Sequence, residues 1–109
     1  MRLINLDPYP IEIPLADGTI VKEQYEVRES IVRSLYAPAL NLGARELLDN
    51  DRLAQKIAHW PDSPLLLEEE EYGRVRKAFE TITRYTQNDV ELVRRVLDAS
   101  EVPVKVAEG

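Results

Sequence analysis

The alternation of apolar and polar residues divides the chain into three parts. Near the N-terminus, Ile11, Ile13 and Leu15 alternate with Glu12 and Pro14. A period of two sends neighbouring side chains to opposite faces, so residues 11–15 predict a half-buried strand. Pro14 lacks an N–H and marks it as an edge. Asp17-Gly18 follows, a turn signal in which glycine supplies the positive φ a tight hairpin requires. Residues 19–27 return as the second strand, giving a hairpin over 11–27. Residues 2–6, ahead of Pro8 and Pro10, predict a further short strand.

The period then lengthens. Val27, Ile31, Val32, Leu35 and Tyr36 recur at helical spacing, and Pro38 ends that pattern. Residues 41–60 read as one helix broken near Asp49-Asn50, or as two short helices, with Asn50 capping the second piece. Leu47, Leu48, Leu53, Ile57 and Trp60 are expected to face the core. "PDSP" (61–64) is a loop. Tyr72, Val75, Phe79 and Ile82 form one helical face at i, i+3, i+7 and i+10. Asn88 with Glu91 predicts a helix cap, and Val90, Val93, Val96 and Leu97 continue as an amphipathic helix.

In the third part, residues 101–106, Val102, Val104 and Val106 alternate as a closing strand, expected to join the N-terminal hairpin in one sheet. The expected fold is α+β, one domain over 1–109. A small antiparallel sheet, the hairpin plus the C-terminal strand, packs on three to five helices drawn from residues 28–99.

Composition narrows the function. The chain has 109 residues, enough to bury a core without staples. It has no cysteine and one histidine, which rules out a thiolate zinc site and a disulfide framework. No apolar run reaches the ~18 residues of a membrane span. "MRLINLDPYP" lacks the pattern of a signal peptide, so a cytoplasmic protein is expected. Net charge is −6, spread evenly: residues 1–67 and residues 68–109 each carry ten acids against seven bases. Nucleic acids and anionic membranes both select clustered Lys and Arg, so neither is an expected partner.

The densest charge is Glu68-Glu69-Glu70-Glu71, followed by Arg74, Arg76 and Lys77. A helix start carries free N–H groups and partial positive charge, and acids there stabilise it by roughly 0.3–1 kcal/mol each. The bases that follow are placed for pairing along the helix. This reading is preferred to a cation site. Consecutive carboxylates on a helix fan around the cylinder instead of converging on one point. What those acids leave unpaired would be a docking surface.

Other chemistry is thin. His59 precedes Asp62 and Ser63 in "HWPDSP", an order that invites a hydrolytic reading, but a histidine near a helix end also favours the dipole. The four glycines are too scattered for a phosphate or dinucleotide loop, and no cofactor motif is present. Arg74, Arg76, Lys77 and Arg84 make a modest basic strip, with Arg94 and Arg95 further on, and the aromatics fall mostly on expected core faces.

The stretch 65–106, "LLLEEEEYGRVRKAFETITRYTQNDVELVRRVLDASEVPVKV", reads as a short strand, an acid-started helix, a capped helix and a valine strand. With "ADGTIVKEQYEVRESIVRSLY" (16–36), it resembles small uncharacterised proteins of tailed bacteriophages. The resemblance implies a small phage-encoded protein that works through protein–protein contact.

The expectation is therefore a non-enzymatic interaction protein without cofactor or metal. It would be a virion-assembly component or adaptor that binds a protein partner or self-associates into a homo-oligomer. The expected contact residues are Glu68, Glu69, Glu70, Glu71, Arg74, Arg76 and Lys77, with the strand edges 11–15 and 102–106 available for pairing. The alternative is an inhibitor of a host protein whose acidic surface imitates nucleic acid.

Overall fold

In the computed structural model, which describes residues 1–101, the first strand of the chain is the middle of a sheet. β1 (Arg2–Ile4) lies between β4 (Leu65–Leu67) and β5 (Ser100–Glu101), antiparallel to both. Ile4 faces Leu65, Arg2 faces Leu67, and Leu3 faces Ser100 on the other side. The period of two puts Ile4, Leu65 and Leu67 on the inner face, where all three are buried.

β2 (Tyr9–Pro14) and β3 (Ile20–Tyr25) form a separate two-stranded hairpin, so the fold is α+β with two small antiparallel sheets. Among the described residues the C-terminal strand does not join this hairpin as expected: β5 pairs with β1. Pro10 and Pro14 explain why β2 makes a poor neighbour, because neither has an N–H to offer a third strand. Residues 102–106 of the expected strand lie outside the described residues.

Four helices cover the inner face. Val27 and Ile31 of α1 (Val27–Ser34) are buried with Leu35 just beyond it. α2 (Ala44–Ala58) runs unbroken through Asp49-Asn50. Asn50 caps nothing in its own helix. Its side chain is buried and donates to the carbonyl of Leu35 at 3.0 Å, closing the end of α1 instead. A continuous helix places Asn50, Leu53, Ala54 and Ile57 on one buried stripe. Leu48 lies on the opposite side and Leu47 one turn before the stripe, so both are exposed, contrary to expectation.

α3 (Glu69–Thr81) buries Tyr72, Val75, Ala78 and Phe79 on the expected face. α4 (Val90–Leu97) buries Leu92 and Val96. Its start differs from expectation: Asp89, not Glu91, is the returning acid. Asp89 accepts the N–H of Thr86 at 2.8 Å, through a 3-10 turn at Gln87–Asp89. Each fully buried aliphatic or aromatic side chain contributes roughly 1.5–3 kcal/mol, so this shared core outweighs any single cap or ion pair.

Two arginines tie distant parts of the body together. Arg28 on α1 donates to the carbonyls of Ile57, at 2.8 Å, and Trp60, at the end of α2. Arg2 lies 4.7 Å from the centre of the Tyr72 ring and donates to the Ala99 carbonyl at 3.0 Å.

The hairpin stands away from this core. Its root is fixed by Tyr9 and Tyr25, whose rings stack with centroids 4.8 Å apart. Tyr9 donates to the carbonyl of Asn88 at 2.7 Å, and Tyr25 donates to Asp89. Arg95 covers the outer side of Tyr9, 5.1 Å from its centre. The molecule is accordingly elongated, 59 × 35 × 22 Å with a radius of gyration of 15.5 Å, against about 13 Å for a compact chain of this length.

Candidate functional site

All four glutamates of the acidic run have structural partners. Glu68 is the cap residue of α3, and Glu71 folds back to accept its backbone N–H at 2.9 Å. Glu71 also binds Lys56 of α2 at 2.7 Å. Glu69 accepts from Arg2 at 3.0 Å, and this bond raises the Arg2 pKa above its ordinary value. Glu70 reaches Arg74 at 4.0 Å, while Arg74 binds Asp49 at 3.2 Å and the Asn50 side-chain carbonyl at 3.3 Å. Arg76 pairs with Glu80 one turn on. Of the seven expected contact residues, Glu68 and Lys77 have no ion pair among the described residues. The acidic run is a helix start tied to α2 and β1, and its exposed pairs hold little energy individually.

The residues around His59 do not assemble. The His59 Nδ1 donates to the Gln55 carbonyl at 2.9 Å, one turn back along α2. Ser63 Oγ accepts the N–H of Leu6 at 2.9 Å and donates to Asn5 at 3.2 Å. No hydrogen bond joins His59 to Asp62 or Ser63 among the described residues. No group of three or more His, Asp or Glu side chains converges as a metal site among them either. No described helix is long and apolar enough to cross a membrane.

Besides Leu47 and Leu48 on α2, two places hold apolar surface in the open. The first is the hairpin tip. Leu15 is 45% and Ile20 59% exposed. The turn between them is tightly tied: Leu15 N–H donates to the Thr19 carbonyl at 2.8 Å, and Gly18 takes φ +89° to close the loop. Asp17 accepts both the backbone N–H, at 3.0 Å, and the hydroxyl, at 2.6 Å, of Thr19. Those bonds, the hydroxyl first, lower the Asp17 pKa below the usual carboxylate range. The tip is a rigid presentation of two aliphatic side chains.

The second is a groove on the outer side of α4. Val90, Val93 and Leu97 fall at i, i+3 and i+7, a second apolar stripe beside the buried Leu92 and Val96. With Tyr85 they line a hollow of about 360 Å³, edged by Arg94 and Asp98. Val90 is 50% exposed. The wall is made by an unusual turn. Arg84 adopts φ +71°, a left-handed conformation that costs a non-glycine residue roughly 1–3 kcal/mol. The turn carries Tyr85 back over the end of α3, where its hydroxyl donates to the Phe79 carbonyl at 3.0 Å. On the other side of Tyr85, a hollow of about 250 Å³ is floored by Phe79, Ile82 and Leu92 and edged by Arg33.

The hairpin root connects the two places. Burial, then the bond to Asp89, pushes the Tyr25 hydroxyl pKa up to about 12. Burial opposes the charge on Asp89, but the Tyr25 hydroxyl and the Thr86 N–H and hydroxyl together hold its pKa below the ordinary carboxylate value.

Neither place is among the charged contact residues expected from sequence, although Leu15 ends the strand edge 11–15 expected to be available for pairing. A signal was present for each. Leu15 and Ile20 flank a polar turn where solubility alone would select polar residues. The last helix is apolar at 90, 92, 93, 96 and 97, a wider arc than one packing neighbour covers.

Searches of protein-family models, curated proteins and solved structures find no match to this chain.

Proposed function

We propose that the protein is a non-enzymatic interaction component that self-associates. The observation that carries this reading is apolar surface left open at the Leu15–Ile20 tip and along the α4 groove, where Val90 is exposed and Val93 and Leu97 are half-buried. Isolated exposed apolar residues are common, but a contiguous patch beside a concave wall marks a contact surface. A rigid tip loses little conformational entropy on docking, which favours association. The resemblance to small tailed-phage proteins agrees with an assembly role.

The reading of the acidic run as a nucleic-acid mimic has less support. Glu68, Glu69 and Glu71 are committed to the α3 start, Arg2 and Lys56. A mimic needs carboxylates free to meet a partner's cations.

The test is absolute mass by light scattering on a sizing column over a hundredfold concentration range. A discrete oligomer of the 12.5 kDa chain is expected. A monomer at every concentration would overturn self-association.

A further inference from the structure

We infer that two copies of this chain pair along β3, antiparallel about a two-fold axis at Val21, so that their hairpins make one four-stranded sheet. The inference rests on the self-association reading and names its contact. Three observations carry it.

The first is the difference between the two edges of the hairpin. Leu15 N–H donates to the Thr19 carbonyl, so 15 and 19 are a bonded pair and the pairs alternate from there. Ile13–Val21 and Ile11–Glu23 bond inward, which turns the backbone N–H and C=O positions of Pro14–Ile20, Glu12–Lys22 and Pro10–Gln24 outward. On the β2 side that edge is closed. Pro10 and Pro14 have no N–H there, and the Glu12 carbonyl already accepts from the Asn88 side chain at 3.2 Å. On the β3 side Ile20, Lys22 and Gln24 keep every donor and acceptor, and none finds a backbone partner beyond the hairpin among the described residues. Such a row of alternating N–H and C=O groups is complemented by the edge of another strand.

The second is that β3 complements itself. Two-fold antiparallel pairing sets residues of equal parity opposite each other, so the residue on the axis names the register. Lys22 on the axis would oppose two lysines, and Glu23 two glutamates, both destabilising. Centres nearer the ends run into the positive-φ turn at Gly18 or the start of α1. Val21 on the axis meets Val21 of the second copy, with Ile20 opposite Lys22 of that copy and Thr19 opposite its Glu23. No like charges face each other, and about four main-chain hydrogen bonds form, from Ile20 and Lys22 of each copy.

The third is what the hairpin lacks alone. None of its twelve strand residues is buried. A two-stranded ribbon is marginal in water, and further strands beside an apolar face stabilise it. In the joined sheet Ile13 and Val21 of one copy and Val21 and Ile13 of the other lie in one row across four strands. Ile20, 59% exposed in the single copy, comes to lie against the apolar stem of Lys22 of the second copy. The same edge serves both copies, so the contact is isologous and closes at a dimer.

The experiment reads mass by light scattering and protection by amide exchange. The wild type is expected to reach twice its 12.5 kDa chain mass as concentration rises. The amides of Ile20 and Lys22 should then slow, while those of Val21 and Glu23, bonded within the hairpin, are slow at every concentration. Lys22→Pro removes one outward N–H, as Pro10 and Pro14 do on β2, and is expected to leave a monomer. V21K and V21E each set like charges against each other on the axis and are expected to be monomers too. Mixed in equal amounts, V21K and V21E are expected to form a dimer, because Lys then faces Glu. Far-UV circular dichroism and melting temperature confirm the folding of each variant, and should Lys22→Pro unfold the hairpin, the charge pair decides alone. Wild-type mass retained by the folded V21K and V21E overturns the β3 contact while leaving self-association standing. Failure of the mixture to dimerise overturns the two-fold register at Val21. A wild type that stays monomeric at every concentration overturns this inference and the broader reading together.

Discussion

The body and the hairpin are held together by different kinds of interaction. In the body, the short strand Leu65–Leu67 survives because Ile4, Leu65 and Leu67 are buried beneath helices. Strands of three residues have almost no stability of their own, so tertiary packing makes them. In the hairpin, twelve residues pair along two strands with no buried residue among them. Its order comes from the Asp17-Gly18 turn at one end and the Tyr9–Tyr25 stack at the other. Isolated hairpins are marginal in water, so the tyrosine root converts a marginal element into an arm. The buried apolar residues of the body serve stability. Those at the hairpin tip serve no fold contact, and that makes them informative about function.

The contrast predicts that damage to the body is global. Leu67→Ala removes a side chain buried between the sheet and the helices and should cost about 2–5 kcal/mol. Chemical denaturation followed by circular dichroism would read it as a cooperative loss affecting both regions. A destabilisation below about 1 kcal/mol would mean the sheet is not integral to the core.

The next effect tests how the helices are joined. Asn50→Ala leaves the buried Leu35 carbonyl without its donor and frees Arg74 from one acceptor. The expected cost is about 1–3 kcal/mol, with an unchanged hairpin. Tyrosine near-UV dichroism would check the hairpin, since Tyr9 and Tyr25 form its stacked pair.

These same residues mark what the sequence could and could not reveal. The turn at Asp17-Gly18, the strand ahead of the prolines and the Tyr72–Phe79 face were readable, because each rests on local periodicity or turn chemistry. The partner of the last strand was not. Strand pairing is set by which edges keep their donors and which faces are buried, and Pro10 and Pro14 act on that choice only in three dimensions. Asn50 misled for a related reason. A capping residue type was present, but the group it satisfies is Leu35, fifteen positions earlier, on another helix. The acidic run was legible as a helix start, and its partners Arg2 and Lys56 came from distant parts of the chain. The tip and groove were written in the sequence as surplus apolar residues. Periodicity assigns surplus of that kind to a core by default.

The smallest and most local prediction concerns the root. Tyr25 is faced by Asp89, by Ser30 and by the ring of Tyr9, which in turn is covered by Arg95. Its pKa rises from 10.0 in the unfolded chain to about 12 in the fold. The protonated hydroxyl is therefore the bound form, and its stabilising effect is complete below pH 10. It is lost as pH climbs from 10 through about 12, where tyrosinate would face the Asp89 carboxylate. Because the hydroxyl is only partly buried, the loss should loosen the arm rather than unfold the body. Lysines elsewhere also titrate in this range, so the decisive comparison is Tyr25→Phe. That variant lacks the donor at every pH, and at neutral pH its hairpin amides should exchange faster while those of α2 and α3 do not change. Absorbance of tyrosinate in the wild type should show one late-ionising group that the variant lacks. If the arm of Tyr25→Phe stays as protected as the wild type, the ring stack and the bonds of Tyr9 fix the root without the Tyr25 hydroxyl.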